Sequence, residues 1–361
     1  MLLSNRDMNC LYVGTLFNSC AVSHEWCKNE LDLIWFYMEQ MQTQVGLIQA
    51  SALNDQALVV TVGFVNNGQP ITELRPAGDE FIRCIRILES SLGNKVEGLI
   101  PLAAGNVNAL VVASVSLQTG IPVVDADPMG RVFPRASQTV LALGRQSIGP
   151  LAAAGATGEA SLIHVSDPER GDRLMRALAG EYGGWAATAS YPMTASELEE
   201  NAVIGSMSHL IDVGKILESE QPTQRRYAQL RRDAGVNLII RGMVKETDWT
   251  ARTSLPGHAR RPAQIVLEEV GTGRIIQLAI QDEILMLMID GAVRSIVPDI
   301  ITLIRPDTGS VAALDDLWPG NTVDILTMSG PKQWYTPQGL DMAGPAAFNL
   351  LRRTAVDALW K

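Results

Sequence analysis

The first half of the chain alternates between two spacings of hydrophobic residues. Short apolar runs rich in β-branched residues predict buried strands at residues 45–49, 57–65, 96–102, 121–124 and 160–165. Apolar residues three and four positions apart predict helices at residues 29–41, 78–92, 105–117 and 167–179. Gly93 and Gly120 follow two of these helices and can adopt the left-handed conformation that ends a helix. Because strand, helix and strand follow one another over residues 96–124, we expect a βαβ unit with parallel strands.

The pattern changes in the second half of the chain. Thr194 and Glu197 form a capping-box pattern ahead of a predicted long helix that extends past residues 203–217, and a charged helical linker covers residues 218–232. Short strands are then predicted at residues 236–240, 265–270, 274–280, 284–289, 300–304 and 322–326. Glycine-containing turns separate several of them, which is typical of an antiparallel sandwich or a small barrel. A last helix is predicted to run through Leu359.

Length, composition and charge narrow the class of protein. A chain of 361 residues is long enough for two domains, and its 47% hydrophobic and 19% charged residues can supply a large core. The net charge of −10 disfavours nucleic acid and anionic membranes as partners. We expect a cytoplasmic protein, since no apolar run approaches the roughly 20 residues of a membrane span and no signal-peptide pattern opens the chain. Cys20, His24 and Cys27 have zinc-like spacing, but a second close pair of ligands is missing, so ordinary thiols are favoured.

The strongest candidate site follows the predicted strand at residues 121–124. Asp125 and Asp127 lie two residues apart, so in an extended segment both carboxylates face the same side. Ligands of open α/β sheets bind at the carboxyl ends of strands, and paired carboxylates there can share a proton, bind a metal or activate water. Arg131 could neutralise a substrate carboxylate. In the structural alternative, one aspartate caps a turn or helix while the other pairs with Arg131.

Other polar residues can contribute to such a site. Asn106 and Asn108 either cap the helix that they precede or present their amides to a ligand. Ser208 and His209 suggest a nucleophile and a base, yet neighbours on a helix point in different directions, and the Gly-x-Ser-x-Gly elbow of serine hydrolases is absent. Glu283 adjoins Asp282 at the start of an apolar strand, where successive side chains alternate faces, so at most one of the two acids enters a common site.

These motifs, in their order and spacing, resemble one bacterial family from about residue 55 to the end of the chain. The family is long known as domain of unknown function 917 and also as the S-methyl-thiohydantoin desulfurase-like family. The stretches that carry the resemblance are residues 121–134, 205–214, 281–283, 297–300 and 344–348. The chain departs from the family pattern in having only Gly14 where a glycine run is usual, and Ala103 and Ala104 where an acid is common.

The resemblance implies a fold and a chemical setting. It implies a Rossmann-like three-layer α/β domain over residues 1–165, and a C-terminal region over residues 166–361 with a helical linker and a β-barrel-like core at about 236–330. Family members are associated with hydantoinase and oxoprolinase proteins, which suggests a small cyclic amide or thiohydantoin-like substrate.

Two functional hypotheses follow. The first is a hydrolase or desulfurase acting at an interdomain pocket, with Asp125, Asp127 and Arg131 as catalytic residues. Its substrate-binding residues would be Asn106, Asn108, Ser208, His209 and Glu283. The second is a non-catalytic binding or accessory subunit of a hydantoinase- or oxoprolinase-type system. The partner is expected to be a small molecule, a divalent metal stays open as a cofactor, and a homodimer or tetramer is expected from the many apolar strands.

Overall fold

The computed structural model describes residues 1–19, 24–66, 74–248, 263–281 and 283–350. It divides into two compact units, the first made of Met1–Asn9 and Lys28–Ser208 and the second of Cys10–Cys27 and His209–Lys361. The side chains of Cys20 and His24, residue Asp282 and the predicted helix through Leu359 lie outside the described residues. The predicted domain boundary at residue 165 stays a prediction.

An eight-stranded mixed sheet forms the centre of the first unit. Its strands, in the order in which they lie side by side, are β1 (Leu2–Leu3), β2 (Val45–Ile48), β5 (Val123–Val124), β4 (Val96–Pro101), β3 (Leu58–Asn66), β9 (Trp185–Thr194), β7 (Leu151–Ala154) and β8 (Ala160–Ile163). Strands β2, β5, β4 and β3 run parallel, and antiparallel strands flank them on both sides. The predicted βαβ unit is confirmed, with β4 and β5 joined through a helix. The unit is therefore a mixed α/β fold with a parallel centre.

Helices occur in both units of the chain. They are α1 (Asn5–Ser19), α2 (His24–Met41), α3 (Glu80–Leu92), α4 (Asn108–Thr119), α5 (Val140–Leu143), α6 (Pro168–Glu181), α7 (Ala195–Asn201), α8 (Ser206–Leu217), α9 (Thr223–Asp233) and α10 (Pro337–Ala343). Helix α3 shows the predicted periodicity, since Phe81, Ile85 and Leu88 are buried and Gly93 ends the helix at a φ of 71°. None of the helices in the described ranges is long and apolar enough to cross a membrane.

The prediction of one long helix after Thr194 is wrong. The capping box is present, because Thr194 and Glu197 exchange hydrogen bonds at the start of α7. Helix α7 nevertheless ends at Asn201, and residues Val203–Ile204 form strand β10 before α8 begins. Strand β10 pairs antiparallel with β6 (Ala126–Asp127), so a contact with a distant part of the chain replaces the helical turn expected from local sequence.

The second unit is built on a seven-stranded antiparallel sheet that curls into a half-barrel. Its strands, in spatial order, are β15 (Ala292–Ile296), β14 (Ile284–Ile289), β13 (Ile275–Ile280), β12 (Ala263–Glu269), β11 (Val236–Asp248), β17 (Thr322–Met328) and β16 (Ile300–Ile304). Aliphatic side chains from nearly all of these strands form one buried cluster, including Leu267, Leu278 and Ile325. The predicted run of antiparallel strands is confirmed, and β15 is an additional strand.

Two glycines bring the backbones of two helices of this unit into direct contact. A Cβ atom added at Gly14 of α1 would lie 1.9 Å from the Leu210 carbonyl oxygen of α8, and one added at Gly214 would lie 1.8 Å from the Cys10 carbonyl oxygen. Only glycine fits at such an approach. Gly14, the one glycine among the first 45 residues, therefore serves helix packing.

Candidate functional site

Loops that follow the parallel strands meet at one edge of the sheet in the first unit. Gln49 follows β2, residues 102–107 follow β4, and Asp125 follows β5. In parallel sheets, this carboxyl edge is where ligands bind, because loops there replace the regular backbone. The predicted location of Asp125 and Asp127 at the end of a strand is confirmed.

Asp125 holds the start of helix α8. The backbone N–H of Ser208 donates to Asp125 Oδ1 at 2.9 Å, and the Ser208 hydroxyl donates to Oδ2 at 2.5 Å. The side-chain amide of Gln49 donates to the same Oδ2 at 3.1 Å. Asp125 is 1% exposed, so its carboxylate is enclosed by these donors. It acts as an N-terminal cap contributed from a distant segment.

Asp127 is buried in a nest of backbone N–H groups. Its Oδ2 accepts from Ala104 at 2.7 Å, from Met129 at 2.9 Å and from Gly130 at 2.8 Å. Burial nevertheless dominates and raises the pKa of Asp127 to about 6, against the lowering effect of these bonds. The nearby Ser206 hydroxyl also lowers that pKa. Its buried oxygen forms no hydrogen bond of good geometry with the described residues.

Both aspartates thus form part of a structural clamp. The ladder of β6 and β10 pairs Asp127 with Val203, and the Gly205 N–H donates to the Asp125 carbonyl oxygen. The two motifs at residues 121–134 and 205–214 therefore come together, although some eighty residues separate Asp125 from Ser208 in the chain. Asp125 and Asp127 lie near each other but are bound to separate sets of donors.

Arg131 is also buried, with 2% of its surface exposed. Its Nε donates to the Val132 carbonyl oxygen at 3.1 Å, and its guanidinium lies 4.6 Å from the centre of the Phe133 ring. Such a cation–π contact stabilises the loop that carries it. The catalytic roles of Asp125, Asp127 and Arg131 stay predictions.

The two asparagines shape the loop after β4. Neither is the N-cap of α4, since Val107 takes that position without a side-chain cap, so the capping prediction is wrong. Asn106 adopts a left-handed φ of 55°, and its side-chain oxygen accepts from the Val107 N–H at 2.7 Å. The Asn108 side-chain oxygen accepts from the Phe64 N–H at 2.9 Å, which ties α4 to the end of β3.

His209 and Glu283 belong to the second unit, whereas Ser208 is the last residue of the first unit. His209 is half-buried, and burial lowers its pKa, with Asp212 opposing that effect. Glu283 is 6% exposed and lies in the connection before β14, where its carbonyl oxygen accepts from the Gln281 N–H. Their predicted roles in substrate binding stay predictions. Within the part of the chain that the structure describes, no three His, Cys, Asp or Glu side chains form a group that could hold a metal ion.

An open depression of about 540 Å³ lies beside Asp125. It is lined by Met1, Leu47, Ile48, Gln49, Ser51, Ala52 and Ser208. Gln49 and Ser208 are the two lining residues whose side chains bind Asp125. Of these lining residues only Ser208 had been predicted as a site residue. The available signal for Gln49 was its position directly after a buried strand, at the edge of the sheet where ligands bind.

Comparisons with known proteins bear on the whole chain. Residues 6–165 match the model of the S-Me-THD-like N-terminal domain, and residues 166–356 match that of the S-Me-THD-like C-terminal domain. No protein of curated function matches the chain in sequence. A crystal structure of a protein from Chromobacterium violaceum, a structural genomics target, is similar with a TM-score of 0.76 and 16% identity, covering 98% of each chain. That likeness concerns the fold. Because the two matched domain models together extend from residue 6 to residue 356, the chain belongs to the S-Me-THD-like family.

Proposed function

We propose that the chain binds a small, neutral cyclic amide or thiohydantoin-like molecule in the depression beside Asp125. One observation carries this proposal. Two polar side chains that line the depression, Gln49 and Ser208, both donate hydrogen bonds to the buried carboxylate of Asp125. Side chains fixed in this way bind a ligand without first losing rotamer freedom. The family name supports the choice of a thiohydantoin-like ring as ligand.

The chemistry of the lining suits such a ring. Leu47 and Ile48 supply apolar surface, and the volume lies within the range of about 300–1,000 Å³ found for small-molecule sites. The Ser208 hydroxyl donates its hydrogen bond to Asp125, so its oxygen can accept a hydrogen bond from a ring N–H. Gln49 uses one amide N–H for Asp125 and has a second N–H and a carbonyl oxygen for a ligand.

Binding without catalysis is the form of the proposal that the geometry favours. Asp125 and Asp127 are 1% and 0% exposed, and both carboxylates are engaged by donors of the protein. This arrangement supports an accessory role in a hydantoinase- or oxoprolinase-type system. The parallel strands with loops at their carboxyl edge support describing the first unit as Rossmann-like. A homo-oligomer and a cytoplasmic location stay predictions.

One contact favours a second candidate, an amide hydrolase. Ser208 Oγ lies 2.5 Å from Asp125 Oδ2, a distance at which the carboxylate could take the hydroxyl proton as a base. Ser208 Oγ would then attack a ring carbonyl carbon, the ring C–N bond would break, and the leaving nitrogen would take that proton. Water would release the acid from Ser208. Asp127 and Arg131 would act by holding the loop that follows Asp125.

Titration calorimetry tests the proposal with hydantoin, 2-thiohydantoin and succinimide as probes. We expect binding of at least one probe to the wild type and about a tenfold loss of affinity in Ser208→Ala, because one hydrogen bond disappears. Ser90→Ala is the matched control, since Ser90 is an exposed serine of α3 outside the depression. No binding of any probe, or an equal loss in both variants, would refute the proposal. Chromatography of the same mixtures for ring-opened product separates the hydrolase from the binding protein.

A further inference from the structure

The orientation of the Gln49 amide is fixed by Asp125. Gln49 lies between β2 and the short 3₁₀ helix Ala50–Ala52, and its side chain is exposed. Its Nε2 donates to Asp125 Oδ2 at 3.1 Å. The same carboxylate receives the backbone N–H and the hydroxyl of Ser208. Asp125 therefore accepts three hydrogen bonds from two residues that line the depression.

Turning the Gln49 amide by half a rotation would be costly. It would place the carbonyl oxygen of Gln49 against Asp125 Oδ2, and two acceptors at that distance repel each other. Both oxygens of Asp125 already act as acceptors, Oδ1 for the Ser208 N–H and Oδ2 for the Ser208 hydroxyl. The hydrogen bond to Asp125 thus fixes what Gln49 presents to the depression, which is a carbonyl oxygen beside one N–H.

We infer that Gln49 is a specificity-determining residue and that Asp125 is its positioning residue, an inference that rests on the proposed function. Gln49 selects ligands in which an N–H and a C=O lie side by side in a ring, because that edge forms two hydrogen bonds with an amide of fixed polarity. A ring with methylated nitrogens lacks the donor. A ring-opened product no longer has the rigid ring that holds the N–H and C=O side by side, so it loses conformational freedom on binding.

Three probes separate these features in calorimetry. Hydantoin has the N–H and C=O edge, 1,3-dimethylhydantoin keeps the ring and carbonyls without the N–H, and N-carbamoylglycine is ring-opened and anionic. We expect the wild type to bind hydantoin at least about tenfold more tightly than either other probe. Gln49→Met keeps the side-chain length but has no amide. In this variant the affinities for hydantoin and 1,3-dimethylhydantoin should differ by no more than about threefold. An unchanged urea midpoint of Gln49→Met separates this result from a general loss of structure, which would also remove the discrimination.

Asp125→Asn tests the positioning role. An asparagine amide can either donate to Gln49 or accept from it, so the fixed polarity should be lost and the ratio should decrease with hydantoin binding partly retained. Adding Asp125→Asn to Gln49→Met should change the ratio no further than Gln49→Met alone does, because Asp125 acts on the ratio only through the Gln49 amide. If the wild type binds hydantoin but Gln49→Met keeps the full ratio, the inference is overturned and the proposed function stands. If the wild type binds no probe, both are overturned.

Discussion

Replacing Asp127 by asparagine should stabilise the protein at neutral pH, although Asp127 lies in a stretch that carries the resemblance to the family. The carboxyl group is subject to two opposing effects. Burial disfavours its charged form, whereas three backbone N–H donors favour it. The raised pKa of about 6, compared with the ordinary 3.8, means that burial is the larger effect. An uncharged isostere escapes that cost.

The size of the effect follows from the pKa shift. One pKa unit corresponds to 1.36 kcal/mol, so a rise from 3.8 to about 6 amounts to about 3 kcal/mol. As the pH rises from about 4 to 6, the unfolded chain releases this proton while the folded protein keeps it. The wild type therefore loses stability over that window, and the cost is fully present above pH 6 and absent below pH 4.

The asparagine variant should keep most of the local hydrogen bonds. The N–H groups of Ala104, Met129 and Gly130 all donate to Oδ2, so one amide oxygen at that position can accept from all three. The Gly130 N–H also donates to Oδ1 at 3.0 Å, and this second contact is lost when the amide nitrogen takes that position. Near pH 4 the protonated wild type and Asp127→Asn should have similar free energies of unfolding. Between pH 7 and 8 the variant should be more stable by up to about 3 kcal/mol.

Urea unfolding, followed by circular dichroism at half-unit steps from pH 4 to 8, measures this difference. Glu269→Gln is the control, because hydrogen bonds from Arg274 and Thr272 lower the pKa of Glu269 to about 2. The stabilisation from Glu269 is lost only as the pH falls below about 4.5, so its difference from the wild type should be flat between pH 5 and 8. Two results would show that the N–H donors outweigh burial. One is a difference in unfolding free energy between Asp127→Asn and the wild type that does not change with pH, and the other is a wild type whose stability relative to the variant increases between pH 4 and 6.

Two further substitutions test contacts within the second unit. Gly14→Ala should lower the free energy of unfolding by about 3 kcal/mol or abolish folding, because its Cβ would lie 1.9 Å from the Leu210 carbonyl oxygen, and an unchanged urea midpoint would contradict the close helix crossing. Asp324→Asn should cost about 2–3 kcal/mol in the same assay, since the buried carboxylate accepts from Arg241 at 2.7 and 2.9 Å and from the Tyr227 hydroxyl at 2.7 Å. A loss below about 0.5 kcal/mol would show that Asp324 is not needed to hold these two donors.

Local signals in the sequence were sufficient for most individual elements. The spacing of Phe81, Ile85 and Leu88 predicted α3, and Gly93 marked its end. Apolar runs predicted most of the strands of both sheets, although not β1, β7 or β15, because a strand buried on both faces has few polar residues. The βαβ unit followed from element order alone, since parallel neighbours need a crossover. These features depend on residues close together in the chain.

The failures occurred where distant segments decide the structure. Local sequence favoured a helix through Val203 and Ile204, but pairing of these residues with β6 replaces the helix there. Helix α1 was not predicted, and its close contact with α8 depends on Gly14 and Gly214, which are two hundred residues apart. The asparagines after β4 looked like N-caps, yet Asn108 binds the end of β3 instead. Sequence spacing carries no information on such contacts.

The role of the two signature aspartates also depends on contacts between distant segments. Asp125 and Asp127 were predicted as reacting groups because they end a strand at the ligand-binding edge of the sheet. That edge is where they lie, but their oxygens face Ser208, Gln49 and backbone N–H groups that the fold brings to them. A buried carboxylate can organise a loop without reacting, because it accepts hydrogen bonds from donors that would otherwise be buried without a partner. In the proposed function, the side chains that meet a ligand are those that Asp125 holds, and Gln49 is the first of them to test.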